Sequence, residues 1–231
     1  MGDGNVLMLI GLINYRFYGQ ICQYSHHIRF TYNNPMRIGI DFDDVVADTL
    51  DALMRMHNEQ FGSNLTRPDF ISYHLEEVWG GTREEAVKKI DAFFTKDQRK
   101  EIEPMMGALA GIEALKKQGH ELYIVTGRSE KDVAQTEQWI EHHLADIFAG
   151  VHYASFFDLE KNTPRKKLDI CKELGIEIMI DDNLPTALEC AAGGIKALLF
   201  DQPWNPHDSL PPGITRVHTW EDVVKIIQTA Q

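Results

Sequence analysis

A chain of 231 residues, 43% hydrophobic and 10% aromatic, can bury one substantial core with room for a small insert, and nowhere approaches the roughly 18 consecutive apolar residues of a membrane span. Its formal charge of -12 argues against duplex nucleic acid as a partner. No membrane partner is expected from the lack of such a run, and three cysteines, Cys22, Cys171 and Cys190, odd in number and with no Cys-x-x-Cys pair, fit a reduced cytoplasmic protein better than a disulfide framework.

Residues 1–35 set Arg16 and Arg29 against Asp3, and their apolar run Val6 to Ile13 has neither a basic start nor a small-residue cleavage site. They read as an N-terminal extension from an upstream start, with Met36 directly before the core. Next comes Ile38-Gly39-Ile40, a short apolar strand running into Asp41-Phe42-Asp43-Asp44. Two carboxylates about 4 Å apart repel by roughly 4 kcal/mol at an effective dielectric of about 20. Such a group stays buried only where something cationic meets it. A magnesium ion and a substrate phosphate would do so, and an acidic turn with a helix cap is the plain alternative.

After Asp48, the residues Leu50, Leu53, Met54, His57 and Phe61 recur at helical spacing, and a polar, Pro-containing stretch follows to Phe70. A second helix is predicted from Thr82 to Phe94, with Thr82 as N-cap and Glu84 and Glu85 in its first turn. Residues 52–104 therefore read as a helical cap inserted after the first strand. Tyr73 and Trp79, on a turn-like stretch ending at Gly80-Gly81, are its candidate substrate-binding aromatics; Phe70, His74 and Phe93 could equally glue small helices together.

Beyond the cap, helix and strand patterns alternate: helix 108–118, strand 121–126, helix 131–144, strand 150–153, helix 165–174, strand 177–181, helix 185–192 and strand 195–200. A last strand near 215–218 and a helix over 220–228 follow. The alternation predicts an α/β fold, parallel strands in a doubly wound sheet with right-handed crossovers. The core is then 36–51 with 105–231.

Three more strand ends carry chemistry. Leu122-Tyr123-Ile124-Val125 ends in Thr126-Gly127-Arg128, where a hydroxyl and a free backbone can hold phosphate oxygens, although Thr-Gly is also an ordinary turn. Ile178-Met179-Ile180 ends in Asp181-Asp182-Asn183, a second pair of acids. In an open α/β sheet ligands bind beyond the carboxyl ends of the strands, so two such strands can converge on one metal. Between them, Arg165-Lys166-Lys167 opens a helix. Cations there oppose the helix macrodipole, which points to charge balance elsewhere; Lys167 is the candidate, and Arg165 and Lys166 read as a solvated face. His142, His143 and His152 lack ligand spacing with an acidic partner and read as structural, and Asp201-Gln202-Pro203-Trp204-Asn205 reads as a turn that could border the pocket.

In order, Asp41-Phe42-Asp43, Thr126, Lys167 and Asp181-Asp182 resemble the four motifs of the haloacid dehalogenase (HAD) superfamily in its phosphatase branch. The run Gly39 to Asp48, the Tyr73 to Trp79 aromatic insert and the closing Ile-Asp-Asp resemble its C-type 5'-nucleotidase group, over about Met36 to Asn205. The resemblance implies a three-layer HAD-like, Rossmann-type sheet and a Mg2+-dependent phosphomonoester hydrolase, with a small phosphorylated substrate, a nucleoside monophosphate first and a sugar phosphate next. It makes Asp41 the nucleophile of an aspartyl-phosphate mechanism and Asp43 the acid and base, its pKa raised by the crowded site. Thr126 and Lys167, with Gly127 and Arg128, would hold the phosphoryl group, and Asp41, Asp181, Asp182 and the Asp43 carbonyl would bind Mg2+. A phosphomutase would keep the same motifs, a dehalogenase would need fewer acids, and a noncatalytic phosphate-binding protein should have lost the nucleophile or acid first. Two positions depart from the pattern: Asp44 stands where glycine or threonine is frequent, and Asn183 where the nucleotidases carry arginine.

Overall fold

The computed structural model describes residues 12–17, 20–25, 34–93, 102–154 and 165–229. The N-terminal part contains one strand pair: β1 (Leu12–Phe17) runs antiparallel to β2 (Gln20–Ser25), with Leu12 opposite Ser25 and Phe17 opposite Gln20. The alternation of Ile13, Tyr15 and Phe17 with Asn14 and Arg16 is the strand signal that a reading of the segment as a bare extension passes over. Most of the apolar run from Val6 lies outside the described residues, as do Phe94, Thr163 and Pro164.

From residue 34 onward the chain forms a three-layer, doubly wound α/β unit. Its strands are β3 (Arg37–Ile40), β4 (Glu121–Thr126), β5 (Gly150–Tyr153), β6 (Ile178–Asp181), β7 (Lys196–Phe200) and β8 (Ile214–Val217). They lie in the order β5-β4-β3-β6-β7-β8, every neighbouring pair parallel. Strands buried on both faces need apolar residues at every position, and the sheet divides them between two cores. On one side Ile38, Ile40, Ile124, Ile180, Leu198 and Phe200 pack with Ile112 of α4 (Ala108–Lys117), Trp139 of α5 (Val133–Leu144) and Trp220 of α8 (Trp220–Thr229). On the other, Val125, Met179 and Leu199 pack with Ile170 of α6 (Lys167–Leu174) and Cys190 of α7 (Leu184–Ala192). Full burial of each such side chain contributes about 1.5–3 kcal/mol. Gly39 lies at the centre because a Cβ there would sit 2.9 Å from Met179 Sδ and 3.3 Å from Ile176 Cγ2. Any larger residue would overpack the centre of the sheet.

Between β3 and α4 lies the inserted helical segment. Its first helix, α1 (Thr49–Phe61), is capped by the Asp48 carboxylate, which accepts from the Asp51 N–H at 3.3 Å, and ends at Gly62 in the left-handed region. A single 3-10 turn covers Arg67–Asp69. The stretch before Gly80, read from sequence as turn-like, is a short helix, α2 (Leu75–Trp79), closed by Gly80 and Gly81 at φ +72° and +89°. Helix α3 (Arg83–Phe93) begins with a reciprocal cap: the Glu85 N–H donates to Thr82 Oγ1 and the Thr82 N–H to Glu85 Oε2. The remaining boundaries shift by one or two residues; α6 starts at Lys167, since Lys166 is still extended.

Candidate active site

Parallel register brings the motif residues together. Ile40 pairs with Ile124 of β4 and Ile180 of β6, and the Asp41 N–H continues the ladder to the Ile180 carbonyl at 2.8 Å. Three strands in register end at one edge of the sheet, where Asp41, Thr126 and Asp181 leave it side by side. Helix α6 then reaches the same edge from below: Lys167 Nζ lies 2.7 Å from Asp41 Oδ2 and 2.9 Å from Asp181 Oδ2. This is the outside reason for a lysine in the first turn of a helix. Lys166 instead points outward to Glu189, 2.7 Å away.

Asp41, Asp181, Asp182, Thr126 and Lys167 are all buried. One oxygen from each of the three aspartates lies within 4.8 Å of the others. Among the described residues three carboxylates thus meet one ammonium, and the imbalance is felt in the protonation of Asp41 and Asp182. Burial, opposed by Lys167 and reinforced by Asp181, pushes the Asp41 carboxyl up to about 7. Burial and the charges of Asp181 and Asp41 push Asp182 well above the usual carboxylate range. Burial disfavours the Lys167 ammonium, but Asp181 and Asp41 outweigh it and hold the proton on tightly. A hard divalent cation on these oxygens would supply the missing positive charge, and an all-oxygen donor set is of the kind that magnesium takes rather than a thiolate-seeking metal.

Asp43 differs from expectation. Burial would raise its pKa, but Arg128 outweighs burial by its charge and hydrogen bonds, helped by Thr49, and holds the carboxyl below its ordinary value. Arg128 Nε donates to Oδ2 at 2.9 Å and Nη2 to Oδ1 at 2.7 Å, while Thr49 Oγ1 donates to Oδ1 at 2.5 Å. The crowding inferred from sequence counted only the acids and left out this guanidinium. Arg128 is therefore engaged with Asp43, where the sequence suggested a phosphate ligand. Its own N–H donates to Thr126 Oγ1 at 3.1 Å across Gly127.

Asp44 takes φ +56°, a conformation in which a non-glycine residue needs local support. Its carboxylate accepts from the Leu50 N–H at 3.0 Å and lies 3.5 Å from Arg67, although burial still pushes it up to about 7. Arg67, on the 3-10 turn of the insert, also pairs with Asp48 and donates to Gln202 Oε1 at 2.8 Å. Asn183 caps α7, accepting from the Thr186 N–H at 2.9 Å.

Of the two candidate aromatics, only Tyr73 meets the acids. Its hydroxyl donates to Asp182 Oδ2 while the residue stays 43% exposed. Trp79 turns away, stacked on His57 at 4.9 Å and packed against the main core. The second aromatic at the site is Trp204, whose Nε1 donates to the same Asp182 oxygen at 2.8 Å and whose ring meets Tyr73 edge-on at 5.6 Å. The segment read as a turn is thus tied to the site: Asn205 Nδ2 donates to the Asp182 carbonyl at 2.6 Å, and Gln202 Nε2 to the Asp44 carbonyl at 3.2 Å. The only sequence signal for it was its place after a core strand.

Over residues 34–231 the chain matches the family described as 5' nucleotidase, deoxy (pyrimidine), cytosolic type C protein. The chain belongs to this family. The family sits in the HAD superfamily, and the chain is accordingly a phosphoric monoester hydrolase of the HAD phosphatase and nucleotidase type. Two relatives are a Bacillus cereus protein provisionally named a nucleotidase, 25% identical over 84% of this chain and 98% of that one, and a Clostridium acetobutylicum nucleotidase, 23% identical over 83% and 93%. Among solved structures, the fold is similar to a haloacid dehalogenase-like hydrolase of Streptococcus pneumoniae (TM-score 0.62, 16% identity, 84% of this chain and 99% of that one). It is also similar to a HAD family hydrolase of Deinococcus radiodurans bearing phosphate and sodium (TM-score 0.60, 14% identity, 86% and 97%). No helix among the described residues is long and apolar enough to cross a membrane.

Proposed function

We propose that this member of the 5'-nucleotidase family hydrolyses nucleoside or deoxynucleoside 5'-monophosphates through an aspartyl-phosphate on Asp41, with Mg2+ as cofactor. The observation that carries the reading is the buried group of Asp41, Asp181 and Asp182 around Lys167, with Thr126 at the end of the strand beside that of Asp41. Mg2+ would be held by those three carboxylates with the Asp43 main-chain carbonyl, and when bound it neutralises phosphoryl charge and aligns the ester. Lys167 favours the ionised form of Asp41 against burial and orients it for attack on phosphorus. Thr126 and the Gly127 N–H receive the phosphoryl oxygens. Asp43, which Arg128 holds as a carboxylate in the free enzyme, would take up a proton beside the bound phosphate, pass it to the leaving oxygen, and then take one from the water that cleaves the acyl phosphate. Residues 52–104 serve as the cap, tied down by Arg67 and Tyr73, and exclude bulk water while the intermediate exists.

Family membership and the Tyr73–Trp204 pair beside Asp182 support a nucleotide over other phosphomonoesters. Specificity should then lie in the aromatics, since the motif residues touch only the phosphoryl group and metal. Tyr73→Ala is expected to raise KM for the preferred nucleotide by about five- to a hundredfold, the range for losing one base–aromatic stack, and to raise it far less for a small aryl phosphate. Tyr73→Phe, which keeps the ring and removes the bond to Asp182, separates stacking from support of the acid. Equal losses on both esters in a folded Tyr73→Ala protein, together with faster turnover of sugar phosphates than of nucleotides by the wild type, would move the substrate to a sugar phosphate.

A further inference from the structure

The three clustered aspartates are oriented by different partners. Asp41 and Asp181 use both of their oxygens. Oδ2 of each faces Lys167, while Oδ1 accepts a main-chain N–H, that of Phe42 at 2.8 Å for Asp41 and that of Asn183 at 2.8 Å for Asp181. Asp182 meets no cation among the ion pairs of the described residues, and its two donors are neutral: the Tyr73 hydroxyl and, at 2.8 Å, Trp204 Nε1. Both bind Oδ2. Among the hydrogen bonds of the described residues, Asp182 Oδ1 is thus the oxygen of the cluster left without a donor.

The two donors differ in what holds them. Tyr73 belongs to the inserted segment and reaches Asp182 only where that segment packs on the core. Trp204 belongs to the loop after β7, and its neighbour Asn205 fixes that loop. Asn205 is 1% exposed, and its amide donates to the Phe200 carbonyl at 2.7 Å and to the Asp182 carbonyl at 2.6 Å, tying the end of β7 to the residue after β6. Its Oδ1 accepts from Arg216 Nη1 of β8 at 2.7 Å, and its carbonyl from Arg216 Nη2 at 2.9 Å. A buried polar group with all its partners in place resists movement, because any shift leaves donors unpaired. One loop therefore supports both the main chain and the side chain of Asp182.

We propose that Trp204 is a positioning residue of the metal site: its indole N–H holds Asp182 Oδ2 and leaves Oδ1 as the oxygen that Mg2+ takes. This rests on the reading of Asp41, Asp181 and Asp182 as the magnesium ligands. A carboxylate ligand gains affinity when its other oxygen is fixed by a hydrogen bond, since the ion then meets a donor that is already oriented. An indole that served only packing or base stacking would need its ring and not its N–H. The metal site needs the N–H.

The test measures binding of Mn2+, an oxygen-seeking stand-in whose free concentration is read from its paramagnetic resonance signal, with Mg2+ as competitor. The site counted is the one that Asp182→Asn abolishes. Trp204→Phe keeps a ring beside Tyr73 and Arg67, whose ring centre and guanidinium carbon lie 5.6 Å and 5.9 Å from the indole, and removes the N–H. It should raise the dissociation constants of Mn2+ and Mg2+ by about tenfold to a hundredfold, the range for losing an outer partner of a metal ligand. Tyr73→Phe should raise them by less. If Trp204→Phe does not fold, benzothienylalanine at position 204, which keeps the bicyclic shape and carries sulfur in place of the N–H, should show the same loss and decides the matter alone. Unchanged or tighter binding in a folded protein lacking the N–H, or a larger loss in Tyr73→Phe, overturns the role of Trp204 while the wild type still binds. A wild type with no Mn2+ site that Mg2+ empties overturns the reading of the three aspartates as metal ligands, and the proposal with it.

Discussion

Asp41→Asn is expected to lower kcat by about 10,000-fold or more on every phosphomonoester, because an amide cannot take the phosphoryl group and what remains is binding and charge stabilisation. The substitution is nearly isosteric, and an asparagine oxygen can still accept the Phe42 N–H, now 2.8 Å from Asp41 Oδ1. It also removes one of three mutually repelling carboxylates, leaving Asp181 to hold Lys167. The circular dichroism spectrum should therefore match that of the wild type. A folded variant turning over at near wild-type rate would exclude a covalent route through Asp41.

Lys167→Met has the largest expected effect on stability. Lys167 is buried between Asp41 and Asp181, and deleting one partner of such a group leaves uncompensated buried charge, at about 3–5 kcal/mol. For a unit of this size the loss should lower the metal-free unfolding midpoint by on the order of 10 °C. The deficit has a sign in pH. Asp41, pushed up to about 7, and Asp182, also pushed up, keep their protons in the folded state at pH 5, where unfolded aspartates have lost theirs. Folding therefore takes up protons between about pH 4 and 7, so these two groups destabilise the fold increasingly as pH rises through that window. The cost of Lys167→Met should thus be larger at pH 8 than at pH 5, and Mg2+ should return part of it at pH 8. A deficit that does not change with pH would mean that the side chain matters for packing and not for charge.

The strand ends were legible because the physics is local. An apolar run that stops at paired acids is a buried strand reaching an edge, and alternation with helical patterns makes neighbouring strands parallel. Parallel register then brings Asp41, Thr126 and Asp181 together with no further information, and an awkward cation at a helix start marked Lys167. Contacts that depend on where a long side chain turns were not legible. Arg128 could face a phosphate or an acid, and only the placement of Asp43 and Thr136 decides it. Trp79 and Tyr73 lie six positions apart in one aromatic stretch, yet the helix Leu75–Trp79 carries Trp79 onto His57 and leaves Tyr73 at Asp182. Gln202 meets Arg67 from 135 residues further along the chain, Trp204 reaches Asp182 from the same late segment, and no local pattern encodes either pairing.

The most direct test of the account is the initial rate on a nucleoside 5'-monophosphate with saturating Mg2+, after exhaustive chelation, and after Mg2+ is restored. Without a cation, Asp41, Asp181 and Asp182 repel the substrate phosphate as well as one another, so hydrolysis should fall to background on chelation and return in full with Mg2+. Turnover that persists undiminished through chelation would contradict the account at its centre.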